Sequence, residues 1–231
     1  MRRKYKSAKK RVSRGYRKAK RSVASARRRF ATRVKRVILK TAEPKHKSYS
    51  WDKTEHYHNA FSLYHLNSPA AMPTQGTGDN QRVGDEIQVS GFCARMMLGQ
   101  KADRPNVKWR WLVVKVPKGS TYSYNSWFEN IINNVLLDPP NKDFVKVLQQ
   151  GTWDHYPASL EVGETAKEQT YSKKLWVPYK HKYKFGPNNT AITHNDDDLW
   201  FVMAPFDAFG TLPSDNIAYS QFCSTMYYKD P

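Results

Sequence analysis

The run Trp109-Arg-Trp-Leu-Val-Val-Lys-Val116, closed by Pro117-Lys118-Gly119, is the most informative in the chain. Residues two apart on a strand share a face. Here Trp109, Trp111, Val113 and Lys115 alternate with Arg110, Leu112, Val114 and Val116, so both faces carry bulk. That predicts a central strand covered on both sides. On its N-terminal side Arg82 to Leu98 reads as a second long strand, with Ile87, Val89, Gly91, Cys93 and Arg95 set against Gln88, Ser90, Phe92, Ala94 and Met96. Before it come a turn-rich loop, Ser68 to Gln81, and a strand from Lys53 to Leu66. In that strand His56, His58, Phe61, Leu63 and His65 cannot share one face, which predicts a bulge or break near Asn59.

On the C-terminal side Ser126-Trp-Phe-Glu129 matches a helix capping box. Phe128, Ile131, Ile132, Val135 and Leu136 follow at helical spacing as far as Pro139-Pro140, predicting one short inserted helix. Further strands are expected at Phe144 to Leu148 with an extension towards Trp153, at Tyr171 to Val177 and Lys180 to Phe185 around Pro178, at Leu199 to Met203, and at Ile217 to Tyr228. Ala158 to Gln169 is polar and reads as a loop. Many short strands without a strand-helix-strand rhythm indicate an all-β fold. Eight of them with long connections favour an eight-stranded antiparallel jelly roll over an immunoglobulin-like sandwich.

The charge lies elsewhere. The chain carries 39 Lys and Arg against 20 Asp and Glu. Residues 1–47 hold 21 of those bases and one acid, Glu43, while residues 48–231 hold 18 bases and 19 acids. A basic N-terminal arm, 1–47, therefore precedes a nearly neutral domain, 48–231. Arg2, Arg3, Lys4, Lys9, Lys10, Arg11, Arg14, Arg17, Lys18, Lys20, Arg21, Arg27, Arg28, Arg29, Arg33, Lys35 and Arg36 are the candidate nucleic-acid-binding residues. Dense bases without a base-reading motif make a phosphate-backbone binder, salt-sensitive and nonspecific, that nuclear import machinery would also read. Tyr16, Val23, Phe30 and Val37 recur every seven residues with Val12, Ala19, Ala26 and Val34 between them, so a helix here would carry an apolar stripe. Like-charge repulsion opposes that helix. The expectation is an arm disordered alone and partly helical once phosphates neutralise it.

Other classes find little support. The two cysteines, Cys93 and Cys223, make neither a disulfide framework nor a paired zinc site and suit a reducing compartment. No secretory signal or bilayer-spanning run is evident, which predicts a soluble protein with no membrane partner. His56 and His58 could face one metal, as in cupins, but no Glu and third His follow at the required spacing. Asp196, Asp197 and Asp198 are a weak candidate for a hard cation. No catalytic constellation and no cofactor-binding motif stands out. Trp109, Trp111 and Trp200 are expected in the core; Trp51, Trp127, Trp153 and Trp176 could instead face other subunits or unpaired bases.

The segment Gln75-Gly-Thr-Gly-Asp-Asn-Gln-Arg-Val-Gly-Asp-Glu-Ile87 resembles one found in small icosahedral capsid proteins. They include the coats of circular, Rep-encoding single-stranded DNA viruses, such as circoviruses, and the satellite tobacco necrosis virus type. Leu199-Trp-Phe-Val-Met203 and Ser224-Thr-Met-Tyr-Tyr-Lys-Asp-Pro231 resemble the last two strands of such coats, and Phe144-Val-Lys-Val-Leu148 their middle strand. Gln149-Gln150-Gly151 departs from the Asp-Lys or Asp-Thr common there. The resemblance implies a virion protein, made into a shell of sixty copies in the host nucleus, that packages a single-stranded genome with its arm, DNA being favoured over RNA. It implies no enzyme. Two rivals remain: a non-viral nonspecific nucleic-acid-binding structural protein, and a jelly-roll enzyme or lectin. Arg82, between glycines and a strand, is expected to fix loop carbonyls.

Overall fold

Bulk on both faces of 109–116 is met by cover on both faces. In the computed structural model, which describes residues 23, 25–34, 37–39, 41–120, 123–132, 134–154, 168–186 and 197–230, this run lies in a strand with a neighbour on each side. The chain divides into two compact units between Glu43 and Pro44.

Among its described residues the second unit has eight strands: β1 (Pro44–Tyr57), β2 (Ser62–His65), β3 (Glu86–Gln100), β4 (Lys108–Val116), β5 (Lys146–Asp154), β6 (Gln169–Lys184), β7 (Asp198–Phe206) and β8 (Asn216–Lys229). They form two four-stranded sheets, ordered β1-β8-β3-β6 and β2-β7-β4-β5. Every pairing is antiparallel. First pairs with last, second with seventh, third with sixth and fourth with fifth, as in one long hairpin rolled over on itself. That nesting is the jelly roll.

Between the sheets lies an aromatic-rich core. Phe222 of β8 stacks on Tyr64 of β2 with ring centres 4.5 Å apart and meets Phe201 of β7 at 5.0 Å, joining the two sheets. Trp109, Trp111 and Val113 face this core. Leu112, Val114 and Val116 on the other face of β4 pack with Trp127, Phe128 and Val145 in a second, smaller core. Opposite Trp111 stands Gly151 of β5, where a Cβ would come within 2.8 Å of the indole. The departing Gln149-Gln150-Gly151 sequence thus makes room for a large ring.

Several boundaries differ from expectation, each for a physical reason. The run from Lys53 to Leu66 breaks near Asn59 as its pattern predicts, but into two strands that belong to different sheets. The chain crosses between them at Asn59, whose φ of 56° is a left-handed angle that Asn tolerates, and whose N–H donates to Pro205 O. Two of the bases counted with the arm, Lys45 and Lys47, lie in β1 opposite Tyr228 and Met226. Conversely, the two strands expected around Pro178 are one, β6. It lies at a sheet edge, where proline's missing N–H removes no ladder bond, and the register shifts opposite Pro178 between Val89 and Gly91. The expected fourth strand, Phe144 to Leu148, starts later, at Lys146.

The short inserted helix is present, but its extent is a correction. Helix is confined to Tyr124–Trp127. Beyond it Phe128 bridges to Pro140, and Asn130 takes a φ of 52°. The buried Asp138 carboxylate accepts the N–H groups of Ile132 (3.0 Å) and Asn134 (3.1 Å), which a helix would have given to backbone carbonyls. Arg110 Nη1 donates to the carbonyls of Val135 (2.8 Å) and Asp138 (2.6 Å), and Asn59 Oδ1 accepts the Val135 N–H. This turned loop leaves Ile131, Ile132 and Leu137 exposed.

Candidate functional site

The arm is the first candidate. Of its candidate residues, Arg27, Arg28, Arg29 and Arg33 are described, all exposed on helical backbone spanning 25–34. Arg2, Arg3, Lys4, Lys9, Lys10, Arg11, Arg14, Arg17, Lys18, Lys20, Arg21, Lys35 and Arg36 lie outside the described residues. Thr32 Oγ1 donates to Arg28 O at 2.8 Å, tying one side chain to the turn before it. Arg28, Arg29, Thr32 and Arg33 surround a shallow cavity of about 280 Å³, a concentration of donors suited to phosphate oxygens. The described apolar residues of the heptad pattern are open to solvent: Phe30 is 70% exposed, and Val23, Val34 and Val37 are exposed as well.

In the second unit the predicted residues sort into structural roles. The carboxylates of the cation candidate are occupied by protein groups: Asp197 by Lys115 at 2.6 Å, and the buried Asp198 by His65 at 3.4 Å. Asp196 lies outside the described residues. No group of three or more His, Cys, Asp or Glu able to hold a metal occurs among the described residues.

His56 and His58 likewise diverge. His58 Nδ1 accepts the Asp207 N–H at 3.3 Å. His56 is sealed between the sheets, with Nε2 2.7 Å from Ser220 Oγ and Nδ1 3.0 Å from Ser62 Oγ, while Tyr64 Oη lies 2.8 Å from the same Ser220 oxygen. A serine within reach of a histidine is the beginning of a nucleophile-base pair. Here both residues are buried, and a serine holds the ring nitrogen that an orienting acid would hold. The network joins β1, β2 and β8 instead of meeting substrate. Burial pushes the His56 pKa down to about 4, so the ring is neutral at ordinary pH.

Two resembling segments, far apart in sequence, meet. The Asp230 carboxylate accepts the N–H groups of Val83 and Gly84 and pairs with Lys45 at 3.8 Å. Lys45 also donates to Gln81 O. Arg82 is buried, donates to Gly84 O and lies 3.9 Å over the Phe185 ring. The loop-fixing role expected of Arg82 is seen at this carbonyl. The Gly-rich loop and the chain's last strand are thus clasped together.

Sequence reasoning offered Trp176 for other subunits or unpaired bases but missed the basic side chains that the outward face of β1-β8-β3-β6 gathers near it. The register brings Ser48, Thr225, Cys93 and Trp176 into one row, and Ser50, Cys223, Arg95 and Lys174 into the next. Only pairing reveals such rows, although Gly91 within a long strand was a signal of close approach. Of the seven tryptophans, Trp109, Trp111 and Trp127 are buried, whereas Trp176 is 47% exposed.

No protein-family model matches the sequence, and no curated protein matches it. Among solved structures, the chain is similar to that of Desmodium yellow mottle tymovirus, with 12% identity, 82% of this chain and 89% of that chain covered, and a TM-score of 0.31. It is also similar to Turnip yellow mosaic virus, with 8% identity, 83% and 95% covered and a TM-score of 0.37. A third is the Triatoma virus empty capsid, with 16% identity, 84% and 91% covered and a TM-score of 0.32. At these TM-scores the likeness carries no argument, and the jelly roll stands on its strand pairing.

Proposed function

We propose that this chain is the coat protein of a small virus: the jelly roll tiles a closed shell, and the arm, residues 1–47, binds the packaged single-stranded genome. The observation that carries this reading is the segregation of charge, with 21 bases and one acid before residue 48 and near balance after it. A body with no net need of an anion joined to a concentrated phosphate binder suits a protein that must both pack against copies of itself and neutralise a polyanion. Exposed apolar side chains on the connecting loops, Ile131, Ile132, Leu137, Phe209 and Leu212, offer contacts between copies.

In a shell of sixty copies, arms of this charge neutralise about 1200 phosphates one for one, the scale of a small single-stranded genome. The resemblance of Gln75 to Ile87 favours DNA, and the basic clusters would carry the chain into the host nucleus for assembly. No enzymatic step is assigned to it.

Electron microscopy of the full chain beside a truncation beginning at Pro44, after nuclease treatment and across a salt series, tests this reading. Closed particles from both support a shell built by the jelly roll. Monomers throughout, with salt-sensitive nucleic-acid binding by the full chain, would replace it with a non-assembling binding protein.

A further inference from the structure

We infer that the outward face of the β1-β8-β3-β6 sheet is a second nucleic-acid site, one that holds unpaired bases and their phosphates independently of the arm. The proposal rests on the coat reading only in naming single-stranded nucleic acid as cargo; its geometry belongs to the sheet.

A groove of about 570 Å³ crosses all four strands of this face. Its walls carry Arg95 and Lys174 against one acid, Asp52, and its polar lining includes Ser50, Ser172 and Gln221. Arg95 and Lys174 are register partners, and both are exposed. Neither has a carboxylate partner among the described residues, and Arg95 makes only a long contact to Thr225 Oγ1, 3.4 Å. Lys180 continues the line of bases along β6. An anionic ligand is therefore the complement of this groove.

An aromatic platform adjoins the bases. Trp176, Tyr227 and His46 stand in neighbouring rows, with Trp176 to Tyr227 at 5.6 Å and Tyr227 to His46 at 6.3 Å. Gly91 explains how the indole lies: a Cβ there would come within 2.6 Å of Trp176 Cζ2, so the glycine is the floor under the ring. The indole rests on the sheet with nearly half its surface open to solvent. Trp176 and Lys174 are two residues apart on one strand, about 6.6 Å. A base stacked on Trp176 would thus place its own or the next phosphate beside Lys174 and Arg95. Stacking and backbone charge are together the recognition mode of single strands, and duplex bases, already paired and stacked, cannot use such a platform.

Ultraviolet cross-linking of the full chain to oligothymidylate, with cross-linked peptides located by mass spectrometry, tests the proposal. Cross-links are expected at Trp176 or Tyr227 as well as in the arm. Arg95→Gln with Lys174→Gln, and separately Trp176→Ala, should lower the sheet cross-links about tenfold and leave the arm cross-links in place, while Trp176→Phe keeps most of them. Melting temperature checks each variant's fold, and if Trp176→Ala is unfolded the Arg95/Lys174 pair decides. Cross-links confined to the arm, or sheet cross-links indifferent to the charge variant, overturn the proposal. Electron microscopy of the same samples separates the two readings. Closed particles cross-linked only in the arm would leave the coat reading standing without the groove. Sheet cross-links on a chain that never forms particles would leave the groove without the coat.

Discussion

The arm and the jelly roll contain the same kinds of apolar residue and use them oppositely. Phe92, Phe201 and Phe222 of the body are buried between sheets, whereas Phe30 of the arm helix is exposed along with Val23, Val34 and Val37. In the body, burial of apolar area supplies the stability, and polar groups such as His56 and Asp138 are tolerated because each is bonded inside. In the arm, exposed cations set the behaviour, and among the described residues no buried apolar side chain holds the helix. Solvent conditions that act on charge should therefore move one region, and conditions that act on packing the other.

The largest expected effect is that of salt. Affinity of the full chain for an oligonucleotide should fall about 10³-fold or more between about 50 and about 200 mM salt, because each neutralised phosphate releases counterions. Thermal melting of the body should hardly change over the same range. A titration followed by fluorescence anisotropy, with melting curves beside it, checks both halves.

Packing mutations should show the reverse. Phe222→Ala removes the ring that joins β8 to Tyr64 and Phe201, and should destabilise the body by about 3 to 5 kcal/mol. Phe30→Ala in the arm should shift stability by less than about 0.5 kcal/mol. Denaturant unfolding of the two variants would erase the contrast if their losses were equal.

Acid should act on the body through His56. Folding holds its pKa near 4 against an ordinary 6.5, so the unfolded chain takes up a proton that the folded chain refuses. The stability His56 contributes is complete above pH 6.5 and is lost as pH falls towards 4, amounting to about 3 kcal/mol. His56→Gln should flatten that part of the stability-pH curve, measured by urea unfolding at each pH.

A smaller loss, about 1 to 3 kcal/mol, is expected for Asp138→Ala, which strands the N–H groups of Ile132 and Asn134. Hydrogen exchange should accelerate in residues 131–138, leaving β3 and β8 protected.

What could be read from the sequence follows the same division. β4 was legible because its bulk needed cover on both faces, and the total of eight strands held because the run with the predicted break near Asn59 is two strands while the two runs around Pro178 are one. The crossing at Asn59 divides one apparent run without a proline or glycine, and Pro178 sits inside one strand because edge position spares it a bond. The helix expected after Ser126 was a local signal outweighed by Asp138 and Arg110, whose contacts span loop and sheet. The groove was invisible for a related reason. Arg95 is separated from Lys174 and Trp176 by about eighty residues in sequence, and only the β3-β6 register makes them neighbours. The arm's charge needed no structure to be read.

The most direct test of this division of labour is the nucleotide content of nuclease-treated particles, measured per protein copy for the full chain and for the chain beginning at Pro44. The account predicts about eighteen more protected nucleotides per copy with residues 1–43 than without them, matching their 19 bases and one acid, and a small residue without them. Equal nucleotide content in the two kinds of particle would contradict it, because the genome would then be held by the shell and not by the arm.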